Sequence, residues 1–302
     1  MFKRIVVGYA SDEAGRDALR LTAKLAALLA SEVTIVYPYS PLLCSVPADA
    51  AEERIREKVR AAVPDSEGLA QATYHWSSSP WPIHALHSMA SYEDAELIVI
   101  GAAREGIAGH LHISLIERMV HGAPCAVAVA PAGYAEGEPP NPRRIGVGFA
   151  DTDEGKAALR LGAEIAERLD GELEVIAGSG LGASLTAYAF ASALLPEVED
   201  ELYAETKAKL EQAIAELAQS VPVQMNVKRG EPSRLLAECS EHMDLLLLGS
   251  RAYGPLRHVL LGSVSATVIR ESRCPVLVIP RGTVDKADSA LGEAEADVTL
   301  GT

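Results

Sequence analysis

The chain has 302 residues, 48% of them hydrophobic and 23% charged, with a formal net charge of −15; at roughly 150 residues per domain this length points to two domains. The composition excludes disorder over most of the chain, and so acidic a surface repels a polyanion, which excludes nucleic-acid binding through phosphate contacts. Aromatic residues make up only 5%, so the cores must be built from Ala, Leu, Val and Ile, which favours helices packed on aliphatic strands over a β-sandwich.

From the first apolar run, Arg4 to Tyr9, short aliphatic runs alternate with helical patterns, the signature of βαβ units and a parallel sheet. Strands are expected near 3–9, 32–37, 71–76, 96–101 and 125–130, with helices near 13–30, 49–62, 82–92 and 114–121. Ala18, Leu21, Leu25, Leu28 and Leu29 recur at helical spacing, so the first helix lays one apolar stripe on a sheet. Pro139-Pro140-Asn141-Pro142 reads as a stiff extended linker, because proline lacks an N–H donor and restricts its predecessor. Beyond it, strands are expected near 143–149, 172–177, 222–228, 244–249 and 275–279, and helices near 154–169, 197–219, 232–242 and 263–272. Residues 281–302 carry two basic and five acidic side chains without an apolar period, the pattern of a disordered acidic tail.

One unit is written twice. Arg4-Ile5-Val6-Val7-Gly8-Tyr9 reappears as Arg144-Ile145-Gly146-Val147-Gly148-Phe149, and each is followed by an acidic turn and Gly-x-x-Ala-Leu-Arg-Leu, from Gly15 and from Gly155. Leu97 to Gly101 matches Leu245 to Gly249, and the run around Cys125 matches that around Cys274. A lag close to half the chain means duplicated domains; solenoid periods are about 20–50 residues. The expected organisation is a domain over 1–138, a linker over 139–142, a second domain over 143–280 and the tail.

In an open parallel sheet, ligands lie beyond the carboxyl ends of the strands. At that place in the second unit, Gly249-Ser250-Arg251-Ala252-Tyr253-Gly254 begins a loop that ends in Gly262-Ser263-Val264-Ser265 and runs into a helix. Ser263 and Ser265 offer hydroxyls beside free N–H groups at a helix N-terminus, a ready phosphate site, and Arg251 can add charge-assisted hydrogen bonds. The plainer alternative is that Gly249 ends a strand and Ser263 caps its helix.

This loop resembles the nucleotide loop of the universal stress protein family, Gly-x2-Gly-x9-Gly-[Ser/Thr]. Gly249, Gly262 and Ser263 match its first, third and fourth marked positions, and Ala252 stands at the second. With the twin Cys-x-Val-x-Val strands, the resemblance covers about residues 2–280 and is to tandem members of the family. It implies two doubly wound α/β domains, each a five-stranded parallel sheet in order 3-2-1-4-5 with helices on both faces. Their fifth strands would pair antiparallel, here as an intramolecular pseudo-dimer. It also implies a site for ATP, with Mg2+ as a companion, in which Ala177 and Gly178 end a strand beside the adenine and Val264 belongs to the phosphate loop. The aspartate that the family places after its first strand corresponds to Ala10 and Ala150, and Asp151 is the adjacent substitute in the second unit. The first unit's loop is one residue shorter, which sets Ile113 opposite Gly262; a β-branched side chain there blocks phosphate. The first unit is therefore expected to be a pseudo-site.

Other features have plainer explanations. Gly178-Ser179-Gly180-Leu181-Gly182-Ala183 has the Gly-x-Gly-x-x-Ala form but follows the unit's second strand and lacks the acidic partner of a dinucleotide site. His84, His87, His110 and His112 lack further ligands at metal-site spacing. Cys44, Cys125, Cys239 and Cys274 are too few for a disulfide framework, and Cys125 and Cys274 read as core residues, with thiol sensing as the alternative. No run reaches the length of a membrane span and the N-terminus lacks a leader pattern, so a soluble, unprocessed cytoplasmic protein is expected, with no membrane partner.

No nucleophile with a neighbouring base, no carboxylate pair and no lysine-bearing phosphate loop can be argued from spacing. The leading expectation is thus a binding module: a tandem stress protein with ATP in its C-terminal domain, regulating a partner or an oligomer, with chain homodimers open. The alternatives are a stress protein without nucleotide that acts as an interaction scaffold, and a slow ATPase or dinucleotide-dependent enzyme.

Overall fold

The computed structural model describes residues 2–38, 47–63, 66–77, 79, 81–102, 115–137, 141–179, 196–217, 221–250 and 262–280. The first unit runs β1 (Arg4–Gly8), α1 (Glu13–Leu29), β2 (Glu32–Tyr37), α2 (Ala48–Ala62), β3 (Thr73–Trp76), α3 (Pro82–Tyr92), β4 (Leu97–Gly101), α4 (115–120) and β5 (Ala126–Ala130). The second runs β6 (Arg144–Gly148), α5 (Asp153–Arg168), β7 (Glu172–Gly178), α6 (Pro196–Ala215), β8 (Val223–Lys228), α7 (Pro232–Cys239), β9 (Leu245–Gly249), α8 (Ser263–Glu271) and β10 (Val276–Ile279).

The strands form one ten-stranded sheet in the order β3-β2-β1-β4-β5-β10-β9-β6-β7-β8. Each half has the expected 3-2-1-4-5 order with parallel pairs, and the halves join where β5 meets β10 antiparallel, Val127 opposite Val278 and Val129 opposite Val276. Because helices cover both faces, the strands are apolar on both sides rather than alternating. Ile5 and Val7 enter the core on one face and Val6 the core on the other. Leu21 and Leu25 of α1, Ile55 and Val59 of α2, Leu159 and Ile165 of α5, and Leu210 of α6 pack into the first core, which is continuous across both halves. Leu86 of α3, Met119 of α4, Leu236 of α7 and Val268 of α8 fill the second.

Equivalent helices start in the same way: Asp12 Oδ1 accepts the N–H of Gly15 at 2.7 Å, and Thr152 Oγ1 that of Gly155 at 3.1 Å. Such N-caps satisfy one of the open donors of the first turn. Three element boundaries differ from the sequence expectation by two or more residues, each for a local reason. β3 starts at Thr73 rather than 71, because a 3-10 turn over Glu67–Leu69 is continued by the bond from Ala72 N–H to the Leu69 carbonyl. α6 ends at Ala215 instead of 219, where the N–H of Leu217 bonds the Ile214 carbonyl in a tightened last turn. α7 ends at Cys239 instead of 242, where Ser240 Oγ donates to the Ala237 carbonyl and accepts the N–H of Arg273. The expected acidic tail, 281–302, and the linker residues Pro139 and Pro140 lie outside the described residues.

Candidate functional site

In each half the strand order reverses between the first and fourth strands, here β1/β4 and β6/β9, and crevices form beyond the carboxyl ends of strands at such a point. In the second half β6 and β9 run in register, Gly148 opposite Leu248. The next residue, Gly249, lies against the first turn of α5: a Cβ there would stand 2.7 Å from the Glu154 carbonyl carbon and 2.8 Å from the Gly155 nitrogen. Its repeat partner Gly101 is closer still, 1.8 Å from the Ala14 carbonyl oxygen. Glycine is thus required in both halves by helix–strand packing, whether or not a phosphate approaches. Ser250 is buried, and its N–H donates to the Ile279 carbonyl.

Across the crevice, α8 begins at Gly262, whose backbone is extended (φ −65°, ψ 153°), and no side chain among the described residues caps the helix. Ser263 is exposed, Val264 is half-buried against the second core, and Ser265 is buried. Ser265 Oγ donates to the Gly249 carbonyl at 3.3 Å, which fastens the helix start to the end of β9. The geometry therefore brings together Gly249, Gly262, Ser263, Val264 and Ser265. N–H groups at a helix start, with the positive end of the helix dipole, suit an anion. Arg251 and Ala252 lie outside the described residues, as does Gly254.

Ala177 and Gly178 end β7, paired with Val227 and Lys228 of β8. Gly178 packs on the start of α7, where a Cβ would come within 2.9 Å of Pro232 Cγ. This close approach explains the first glycine of the Gly-x-Gly run; Gly180, Leu181, Gly182 and Ala183 lie outside the described residues. Asp151 follows β6 at the rim, and its carboxylate is gripped by two lysines that sequence reasoning missed, Lys156 Nζ at 3.1 Å and Lys209 Nζ at 3.7 Å. Lys209 also meets Glu205 at 2.7 Å.

The corresponding corner of the first half is filled by its own side chains. Tyr37, the last residue of β2, is buried and meets Tyr9 edge-on with ring centroids 5.8 Å apart. Its hydroxyl accepts from Lys58 Nζ at 2.6 Å and shares a hydrogen bond with Ser11 Oγ at 2.8 Å. Lys58 Nζ also lies 4.8 Å from the ring centroid, and Tyr9 donates to the Lys58 carbonyl. Burial holds the Tyr9 phenol above its usual range. Comparing strand ends between the repeats, Tyr37 with Ala177, would have exposed this difference from the sequence.

Of the remaining candidates, Cys44, His110 and His112 lie outside the described residues, and the others are engaged within the fold. His87 Nε2 pairs with the Met119 carbonyl at 2.8 Å, and burial pushes the imidazole down; His84 Nδ1 faces Ser88 Oγ at 3.5 Å. Among the described residues no three His, Cys, Asp or Glu side chains are grouped to hold a metal ion. Cys125, Cys239 and Cys274 are buried and form no disulfide among the described residues, and burial pushes Cys274 up to about 12, so it stays protonated and unreactive near neutrality. A groove of about 1340 Å³ runs beside β3 and α3, but its lining includes neither Gly8 nor Gly101 and is separate from the crevice. No described helix is long and apolar enough to cross a membrane.

Comparison with known proteins agrees with this architecture. The universal stress protein family profile matches the chain twice, over residues 1–131 and 141–280. The universal stress protein Rv2319c of Mycobacterium tuberculosis is 25% identical over 291 residues, spanning 91% of this chain and 99% of that protein. Rv2623 of the same organism is 24% identical over 295 residues, spanning 91% and 95%. A universal stress protein structure from Archaeoglobus fulgidus shares the fold with a TM-score of 0.58 at 17% identity, over 92% of this chain and 96% of that one. Protein PA1789 from Pseudomonas aeruginosa PAO1 does so with a TM-score of 0.61 at 14% identity, over 97% and 98%. With both copies of the unit matched and the 3-2-1-4-5 order repeated through one continuous sheet, this chain belongs to the universal stress protein family as a tandem member.

Proposed function

We propose that this protein binds one adenine nucleotide, ATP accompanied by Mg2+, in the crevice of its second unit, and that the bound state regulates a cytoplasmic partner in the stress response. In this reading the domains are 1–138 and 143–280, and the first serves as a structural pseudo-site. The observation that carries the reading is the first turn of α8 at the switch point, capped by no side chain among the described residues, with Ser265 fastened to the Gly249 carbonyl. Helix N-termini in this position receive phosphates through backbone N–H groups. The phosphates would meet Ser263, Val264 and Ser265, with Arg251 and Ala252 in the connecting loop, and the nucleoside would lie toward Ala177, Gly178 and Asp151. The filling of the first crevice by Tyr37 and Lys58 supports a stoichiometry of one.

Isothermal titration with ATP and Mg2+, comparing wild type with Gly262→Val, tests the reading. One equivalent bound by wild type and lost in the variant supports it; no binding, or two equivalents, overturns it. The two lysine contacts of Asp151 favour a second reading, an interaction scaffold without nucleotide, because they already engage the carboxylate that would hold the nucleoside. No binding by folded wild type is the result that reading requires.

A further inference from the structure

We infer that Lys209 is a ligand-contact residue of the second crevice, holding the nucleoside end of the nucleotide as Lys58 holds Tyr37 in the first unit. The inference rests on the nucleotide reading above and adds a residue to it.

The two corners correspond in strand register and in the order of their residues. Gly8 pairs with Val36 and Gly148 with Ile176, so Tyr37 and Ala177 each stand one position beyond the pair that ends their first strand. Both continue the same sheet face, after Val33 and Ile35 in one case and Leu173 and Val175 in the other. Tyr9 and Phe149 each follow that first strand and donate their N–H across, to the carbonyls of Val36 and Ile176. On the covering helices, Lys58 precedes the buried Val59 and Lys209 precedes the buried Leu210. Ser11 and Asp151 complete the correspondence.

The first unit therefore displays an occupied version of the corner. A flat ring lies edge-on to an aromatic residue, and its hydroxyl is bracketed by an ammonium and a hydroxyl oxygen. In the second unit the bracket persists as Phe149, Lys209 and Asp151, but its internal occupant is cut back to the methyl of Ala177. Lys209 and Asp151 keep about half and two-fifths of their side-chain surface exposed, so both can face a bound molecule. A nucleoside brings what Tyr37 supplies from within: a flat ring, and hydroxyl or ring-nitrogen groups that can accept from an ammonium and donate to a carboxylate. Lys209 would exchange its 3.7 Å contact with Asp151 for a hydrogen bond to the base or ribose.

The test is titration of AMP and of ATP with Mg2+ into wild type, Lys209→Met and the charge-matched control Lys207→Met, which lies on the same helix and pairs with Glu211. Lys209→Met is expected to weaken AMP and ATP by the same factor, about tenfold, since a contact on the nucleoside does not depend on phosphate number; Lys207→Met should match wild type. A second variant, Ala177→Tyr, supplies the missing ring and should abolish binding; because Ala177 is buried, the melting temperature of this variant is measured alongside to show that it is folded at the titration temperature. Full affinity in Lys209→Met overturns the inference while leaving the nucleotide reading intact. A larger loss for ATP than for AMP, or an equal loss in Lys207→Met, overturns it in favour of general attraction of phosphate. Failure of wild type to bind either nucleotide overturns both.

Discussion

Asp17, buried on α1, accepts the backbone N–H of Gly133 at 2.8 Å with one carboxylate oxygen and that of Ala135 at 2.7 Å with the other. It thereby clamps the segment leaving β5 onto the first helix, where Tyr134 packs against the continuous core. Its repeat counterpart is Ala157, so the clamp belongs to the first unit alone. Hydrogen bonds to a charged group contribute about 1.5–3 kcal/mol each. Asp17→Ala should lower stability by about 3–6 kcal/mol, read as a reduced urea midpoint, and an unchanged midpoint would show that the segment is held by packing alone.

A second carboxylate fixes the start of β6. Asp244 Oδ2 accepts the N–H groups of Arg143 and Arg144, and its other oxygen meets the Arg144 guanidinium at 3.1 Å. Burial by itself would raise this carboxyl, but the bonds from Arg144 and Arg143 outweigh it and hold the group below the usual range. Because the folded value is depressed, the stabilisation is complete above the unfolded value, near pH 4, and is lost as pH falls through the lower folded value. Asp244→Asn should therefore lower the urea midpoint at pH 7, with the gap to wild type closing below about pH 4. A gap independent of pH would mean that the carboxylate's charge is not what stabilises the strand.

Much of this molecule was legible in residue order because both sheet faces are covered, which turns each strand into an unbroken aliphatic run such as Leu245 to Leu248. The duplicated Arg-Ile-x-Val-Gly and Gly-x-x-Ala-Leu-Arg-Leu segments gave the two units, and the antiparallel seam at β5 and β10 agrees with the family expectation. The site was only partly legible. Gly249 reads as a phosphate glycine, yet packing against Glu154 and Gly155 already requires it. Tyr37 reads as an ordinary strand-end aromatic until its bond to Lys58 is seen. The pairing of Lys58 with Lys209 is hidden by a change of lag, 140 residues between Tyr37 and Ala177 but 151 between the lysines.

This distinction between packing and binding glycines separates two substitutions in one loop. At Gly249 an added Cβ meets backbone atoms of α5, which cannot rotate away, so Gly249→Ala should cost about 1–3 kcal/mol through overpacking. Gly262 has an extended backbone that a β-branched residue adopts readily. Gly262→Val should melt within about 1 °C of wild type, a shift corresponding to less than about 1 kcal/mol for a chain of this size. A large fall in melting temperature for Gly262→Val alone would reverse these assignments.

The filled corner of the first unit makes the last prediction. Tyr37 joins the end of β2 to α2 through Lys58 and to the turn after β1 through Ser11, so its side chain acts as an internal strut where the second unit has a methyl group. Removing a buried aromatic side chain costs about 3–5 kcal/mol. Lys58 is exposed and hydrates when its partner is lost, which keeps the loss near the lower end of that range. Tyr37→Ala should therefore destabilise the protein by about 3 kcal/mol. It should not raise the ATP stoichiometry above one, because the first-unit loop, which lies outside the described residues, carries Ile113 where the aligned second-unit sequence has Gly262. A second equivalent of ATP in titration of Tyr37→Ala would make the tyrosine, and not the loop, the barrier that separates the two halves in function.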